Sequence, residues 1–170
     1  PVRYQFFSAA SRCLAEAVIR RGDVEGYRKL MFERLELALR AHDRQPNWPL
    51  IAPHLIDHEL ADALDLAGRP ADAARVVELA LELWGERAVG KPVDPGARRV
   101  YADWLDADGH RLWATDPARA SGRFRRAVEV LAPLVDDPAA SAAGLDLAII
   151  LASCPDPAIR DPGRAVALAR

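Results

Sequence analysis

His54 and His58, in "HLIDH", stand four residues apart with Asp57 beside the second. On a helix that spacing puts both imidazoles on one face, where they could share a metal ion. The zinc-peptidase patterns need a glutamate within HExxH, or HxxEH with a distant acidic ligand. Here the acid is the shorter aspartate and no distant ligand can be assigned, so two polar residues on an exposed helix face is the plainer reading. "DWLDADGH" sets Asp103, Asp106 and Asp108 ahead of Gly109. A calcium loop with Gly109 in sixth place would begin at Trp104 and end at Thr115. The first and last places of such a loop require an acid and a glutamate, so the stretch reads as a helix end or kink.

Cys13 has apolar and alanine neighbours at helical spacing and reads as a buried, inert thiol. Cys154 falls at the end of an apolar run near Arg160, a setting that could make its thiol more acidic. No histidine lies close to it in sequence, so no nucleophile with its base can be named. GxGxxG, GxxxxGK[ST] and GxSxG are all missing, which leaves phosphate loops and the serine elbow without support. Catalytic residues, metal ligands and cofactors are therefore assigned to no position.

The remaining composition bounds the partner class. The chain has 170 residues, 51% of them apolar, enough for one domain with a sizeable core. A formal charge of −2 offers no bulk attraction to nucleic acid or to anionic membranes. "RRVYADWL" and "GRFRRAVEV" interleave arginine with aromatics, but neighbouring aspartates make them ordinary solvated faces. No stretch approaches the roughly 20 apolar residues of a membrane span. The start, "PVRYQFF", has neither a Met nor a signal-peptide layout, and the end at Arg170 cuts through a helical pattern. The chain reads as a cytoplasmic fragment of a longer protein.

Every periodic segment has the helical period. Leu14, Val18 and Ile19 begin the series, and "VEGYRKLMFERLELALRAHD" continues it as a long amphipathic helix ended by "RQPNWP". A third helix is expected from about Pro53 to Ala67, and a fourth over "RPADAARVVELALELW". "GERAVGKPVDPG" is expected to be a loop and the internal boundary. "ARRVYADWLDADGHRLWAT" with "GRFRRAVEVLAPLV", the latter shortened or kinked by Pro133, forms another pair. "SAAGLDLAIILAS" with "GRAVALAR" forms the last. No β signal competes.

The pairs repeat. Gly22, Gly68 and Gly122 are each expected to end one helix and open the next. Five residues on stand Tyr27, Ala73 and Ala127; eight on, Leu30, Val76 and Val130; nine on, Met31, Val77 and Leu131. Those steps trace one helical face. The pattern resembles the tetratricopeptide repeat, most closely in "LADALDLAGRPADAARVVELALEL", where Leu60, Ala61, Leu64, Gly68, Ala73, Val77 and Ala80 match. The glycine spacings of 46 and 54 exceed the family's period of about 34 residues, so the repeats are degenerate. "RGDVEGYRKLMFERL" and "ILASCPDPAIRDPGRAVALA" further resemble phrases from the repeat tails of large multidomain bacterial proteins, many of which carry a Ser/Thr kinase domain.

The resemblance implies an all-α right-handed solenoid of antiparallel helix pairs, over about 5–45, 50–86, 97–137 and a truncated 141–170. It implies a single non-catalytic domain that binds a protein or peptide, with self-association possible, and no role for nucleic acid or membrane insertion. By position, the groove residues in the first two pairs would be Arg12, Glu16, Arg20, His58, Asp62 and Asp65. A purely structural spacer is the nearest alternative, and a metal enzyme using His54 and His58 the more distant one. Within the last phrase, "CPDPAIRDP" reads as an extended connector, with Asp161 as N-cap and Pro162 as the first helical residue.

Overall fold

The computed structural model describes residues 21, 26, 29, 30, 33, 58–66, 68–90, 94–140 and 142–170. Among the described residues all regular structure is helical: α1 His58–Leu66, α2 Pro70–Val89, α3 Pro95–Leu112, α4 Pro117–Leu131, α5 Ala143–Ser153 and α6 Pro162–Leu168. Two short 3₁₀ turns, Ala132–Leu134 and Pro138–Ala140, bridge α4 and α5. The chain forms two compact units, Pro1–Leu83 and Trp84–Arg170, with the boundary inside α2.

In the first unit, α1 ends at Gly68, which takes φ +71°, a conformation that costs a glycine nothing. The Gly68 N–H donates to the Asp65 carbonyl and the Arg69 N–H to the Leu64 carbonyl, both at 2.9 Å, closing a Schellman cap. The expected turn at Gly68 is therefore present. Beyond it α2 buries Ala73, Val76, Val77 and Ala80, a stripe at helical spacing. The helix does not stop at Trp84. It runs through Gly85 to Val89, so the loop expected over "GERAVGKPVDPG" starts five residues later than its glycine suggested. One glycine costs a helix interior only about 1 kcal/mol, and burial of Ala88 favours continuation. Arg98 of α3 donates from Nε to the Ala88 carbonyl at 3.0 Å, satisfying the end of α2.

In the second unit, α3, α4 and α6 each open on Asp-Pro. Asp94, Asp116 and Asp161 accept from the N–H three residues on, at 3.1, 3.1 and 2.9 Å. Pro95, Pro117 and Pro162 follow, where a missing donor is harmless. The expected cap and proline of the last helix are thus in place. Gly122 is different: it lies inside α4, and the turn before that helix is Trp113–Asp116. Counted from the opening prolines, the repeat becomes more even. Pro70, Pro117 and Pro162 lie 47 and 45 residues apart, and the third residue after each is a buried alanine: Ala73, Ala120 and Ala165. Val77 and Ala80 in α2 then match Phe124 and Ala127 in α4, all buried.

α3 packs chiefly on α4, α4 on α5, and α5 on α6, with a smaller contact of α3 on α5. The four-residue turn between α3 and α4 makes them an antiparallel hairpin. Asp108 meets Arg123 from opposite sides of that turn, and Gly109 meets Phe124. Leu105, Leu131, Leu147 and Phe124 are among the largest fully buried side chains. Pro133 shortens α4, as expected, by passing the chain into the 3₁₀ turn at Ala132. "DWLDADGH", expected to end or kink its helix, continues straight through α3 to Leu112. Gly109 is there for packing: a Cβ on it would lie 2.6 Å from the Phe124 ring.

Candidate functional site

The described part of the second unit carries a cleft of about 470 Å³. Its near wall is one face of α3: Gly96, Arg99, Val100, Asp103 and Asp106. Its far wall is Asp146, Ile149 and Ile150 of α5, with Leu131 from the end of α4 at the base. Arg99, Asp103 and Asp106 recur at steps of four and three, so helix geometry alone aligns them. The Asp-Pro start at Asp94 fixes where that stripe begins.

Arg99 donates from Nε to Asp146 Oδ2 at 2.6 Å and ties the two walls together. Both side chains are about one-third exposed, so the pair sets geometry more than it adds stability. Asp106 is approached by His110 Nε2 at 3.7 Å. Ile149 leaves 54% of its surface exposed at the cleft, and Leu145, one turn earlier, leaves 55%. The arrangement can hold a cationic group against carboxylates and an aliphatic group against Val100, Leu131 and Ile150. No nucleophilic Ser, Thr or Cys lines it.

The expected groove residues lie elsewhere. Arg12, Glu16 and Arg20 fall outside the described residues, as do His54 and Cys13. His58 is half-buried at the start of α1, and Asp62 and Asp65 are exposed on the same helix, in the first unit. The cleft uses the same kind of position one and two pairs later. Applying the positional rule to "ARRVYADWLDAD" would have reached Arg99, Asp103 and Asp106. Among the described residues no three His, Cys, Asp or Glu side chains converge as metal ligands, and no helix is long and apolar enough to cross a membrane.

A second polar cluster lies behind the cleft. Asp108 is 4% exposed. It accepts from Arg123 Nε at 2.8 Å, with Arg111 Nη1 at 3.8 Å. The arginines of "GRFRRAVEV" are thus not all solvated, because Arg123 is drawn inward to this carboxylate. Asp156, also buried, accepts from Ser121 Oγ at 2.5 Å and from the Ala158 N–H at 2.9 Å. These bonds, the Ser121 hydroxyl first, hold the Asp156 carboxyl below the usual aspartate range. A depressed carboxyl contributes stability above its unfolded pKa near 3.8, and that contribution is lost as pH falls through the folded value. Ser121→Ala should therefore destabilise most near neutral pH, and the difference from wild type should vanish in strong acid. Urea midpoints of both proteins at several pH values check this; a pH-independent difference would exclude the Ser121–Asp156 bond as its source.

Asp156 also shapes "CPDPAIRDP". The segment is a connector, as expected, but it is not extended: Ile159 and Arg160 both donate to the Asp156 carbonyl in a tight turn. The Asp161 N–H returns to the Leu151 carbonyl at 2.9 Å. This fold drives Cys154 inward against Ala120 and Phe124, flanked by Leu112, Trp113 and Ile159. Burial pushes its thiol up, the opposite of the acidity that Arg160 suggested, because Arg160 is exposed and its influence is minor. In a Cys13→Ser background, a disulfide reagent should modify native Cys154 at least ~100-fold more slowly than the unfolded chain, equivalent to about 3 kcal/mol of opening. Rates within tenfold of each other would show a reachable thiol.

Comparison of the chain with protein-family models, with curated proteins and with solved structures returns no match.

Proposed function

We propose that this chain is a non-catalytic protein-interaction module, built as a right-handed solenoid of degenerate tetratricopeptide-like helix pairs. The observation that carries the reading is the cleft. Its walls are α3 and α5, the first helices of two consecutive pairs, which is where such a solenoid places its groove. The buried alanines at a constant distance from Pro70, Pro117 and Pro162 support the repeat, because small residues at crossings let helices approach closely. The partner is a protein or peptide, and the module serves as a cytoplasmic scaffold or regulatory segment of a larger bacterial protein.

A photo-crosslinking residue at position 149 tests this, with position 119 on an exposed part of α4 as control. Installed in the parent protein in its own cells, the probe at 149 should yield a discrete adduct that the probe at 119 does not. Equal or empty labelling at both positions would favour a spacer, whose groove touches nothing.

A further inference from the structure

The charge of the cleft specifies what enters it. The lining holds one guanidinium, Arg99, against three carboxylates, Asp103, Asp106 and Asp146. That leaves a formal −2, equal to the charge of the whole chain, so the remaining residues balance to zero. His110 beside Asp106 is the nearest further cationic group, at 3.7 Å. Arg99 is bound at one end, on Asp146. Asp103 and Asp106 follow it along the same face of α3, so negative charge accumulates away from the Arg99 bridge.

The apolar part of the cleft is as specific as the charge. Val100 and Ile150 flank the Arg99–Asp146 bridge, and Ile149 stands half-exposed at its side. From Gly96 to Asp106 the lining follows α3 for about 15 Å. Four or five residues of extended chain cover that length, whereas a single small cation would leave most of it open.

We propose that the cleft binds a peptide segment presenting an arginine or lysine next to an aliphatic side chain. The cation lies against Asp103 and Asp106, and the aliphatic group against Val100, Ile149 and Ile150. This rests on the interaction-module reading and adds the sign of the partner's charge, which that reading leaves open. Complementary charge of this kind governs specificity and encounter rate, and it weakens with salt.

The test uses the purified chain and three probes: a fluorescein-labelled nine-residue peptide with two Leu-Arg steps, the same peptide with Leu-Glu steps, and agmatine as a free guanidinium. Anisotropy should show the Leu-Arg peptide binding at least ~10-fold more tightly than Leu-Glu at low salt. Asp103→Asn with Asp106→Asn should remove about tenfold of that affinity, as should Ile149→Ala alone, with circular dichroism confirming the fold of both. Binding unchanged in both variants would overturn the proposal, because the peptide would then sit elsewhere. A preference for Leu-Glu would overturn the charge assignment while leaving the cleft an interaction surface, which crosslinking at position 149 reports separately. No binding by either peptide would overturn it too, and agmatine competing at the peptide's own concentration would make the site one for a small cation.

Discussion

Phe124→Ala will lower the stability of the Trp84–Arg170 unit by about 3–5 kcal/mol, a large share of what a domain of this size possesses. Phe124 is fully buried at the meeting point of three elements. The His110 ring stands edge-on to it at 5.0 Å, Trp113 lies at 6.5 Å, and Cys154 from the connector closes the third side. Truncation leaves a cavity that none of these can fill without moving a helix or a turn. Urea denaturation followed by tryptophan fluorescence measures the loss, and a cost below about 1 kcal/mol would show that the site collapses freely.

The same contact gives a sharper companion measurement at Gly109. A methyl group there would stand 2.6 to 2.9 Å from three Phe124 ring carbons. Overpacking costs about 1–3 kcal/mol, while alanine returns about 1 kcal/mol of helix propensity. Gly109→Ala alone should therefore destabilise modestly. In a Phe124→Leu background the clash disappears and the same change should become neutral or favourable. Additive effects of the two changes would mean that the ring and the glycine are not coupled.

Arg123→Met should cost about 3 kcal/mol, because it strands the Asp108 carboxylate in a site only 4% exposed. Arg111 at 3.8 Å offsets part of the loss, which places the value at the lower end for broken buried pairs. Replacing both partners, Asp108→Leu with Arg123→Leu, removes the stranded charge and should recover most of the stability. If the double variant is as unstable as the single, the cost lies in packing of the arginine stem and not in its charge.

The helices were legible in the sequence because each carries an apolar stripe of the right period, and Gly68 was legible because a left-handed turn has few alternatives. Gly122 and Gly109 show where such reading ends. Both are glycines in polar helical stretches, yet neither ends a helix, and only the position of Phe124 explains the second. Asp161 and Pro162 were read correctly as a helix start, and the same dipeptide at Asp94 and Asp116 supplies the register that the glycines obscured. Cys154 was misjudged because its nearest cation is adjacent in sequence, while the groups that decide its chemistry arrive from α4. The cleft is hidden for a related reason: Arg99, Asp103 and Asp106 form a visible stripe, but it becomes a wall only when Asp146, 47 residues from Arg99, comes opposite.

The Asp-Pro openings have a consequence for how the chain acquires its shape. Each cap is completed by an N–H three residues away, so the start of α3, α4 or α6 is specified before any distant segment is present. During synthesis, every emerging helix can begin at its proper residue while its packing partner is still unmade. The search that remains is the docking of neighbours in chain order, which closes short loops and favours rapid folding.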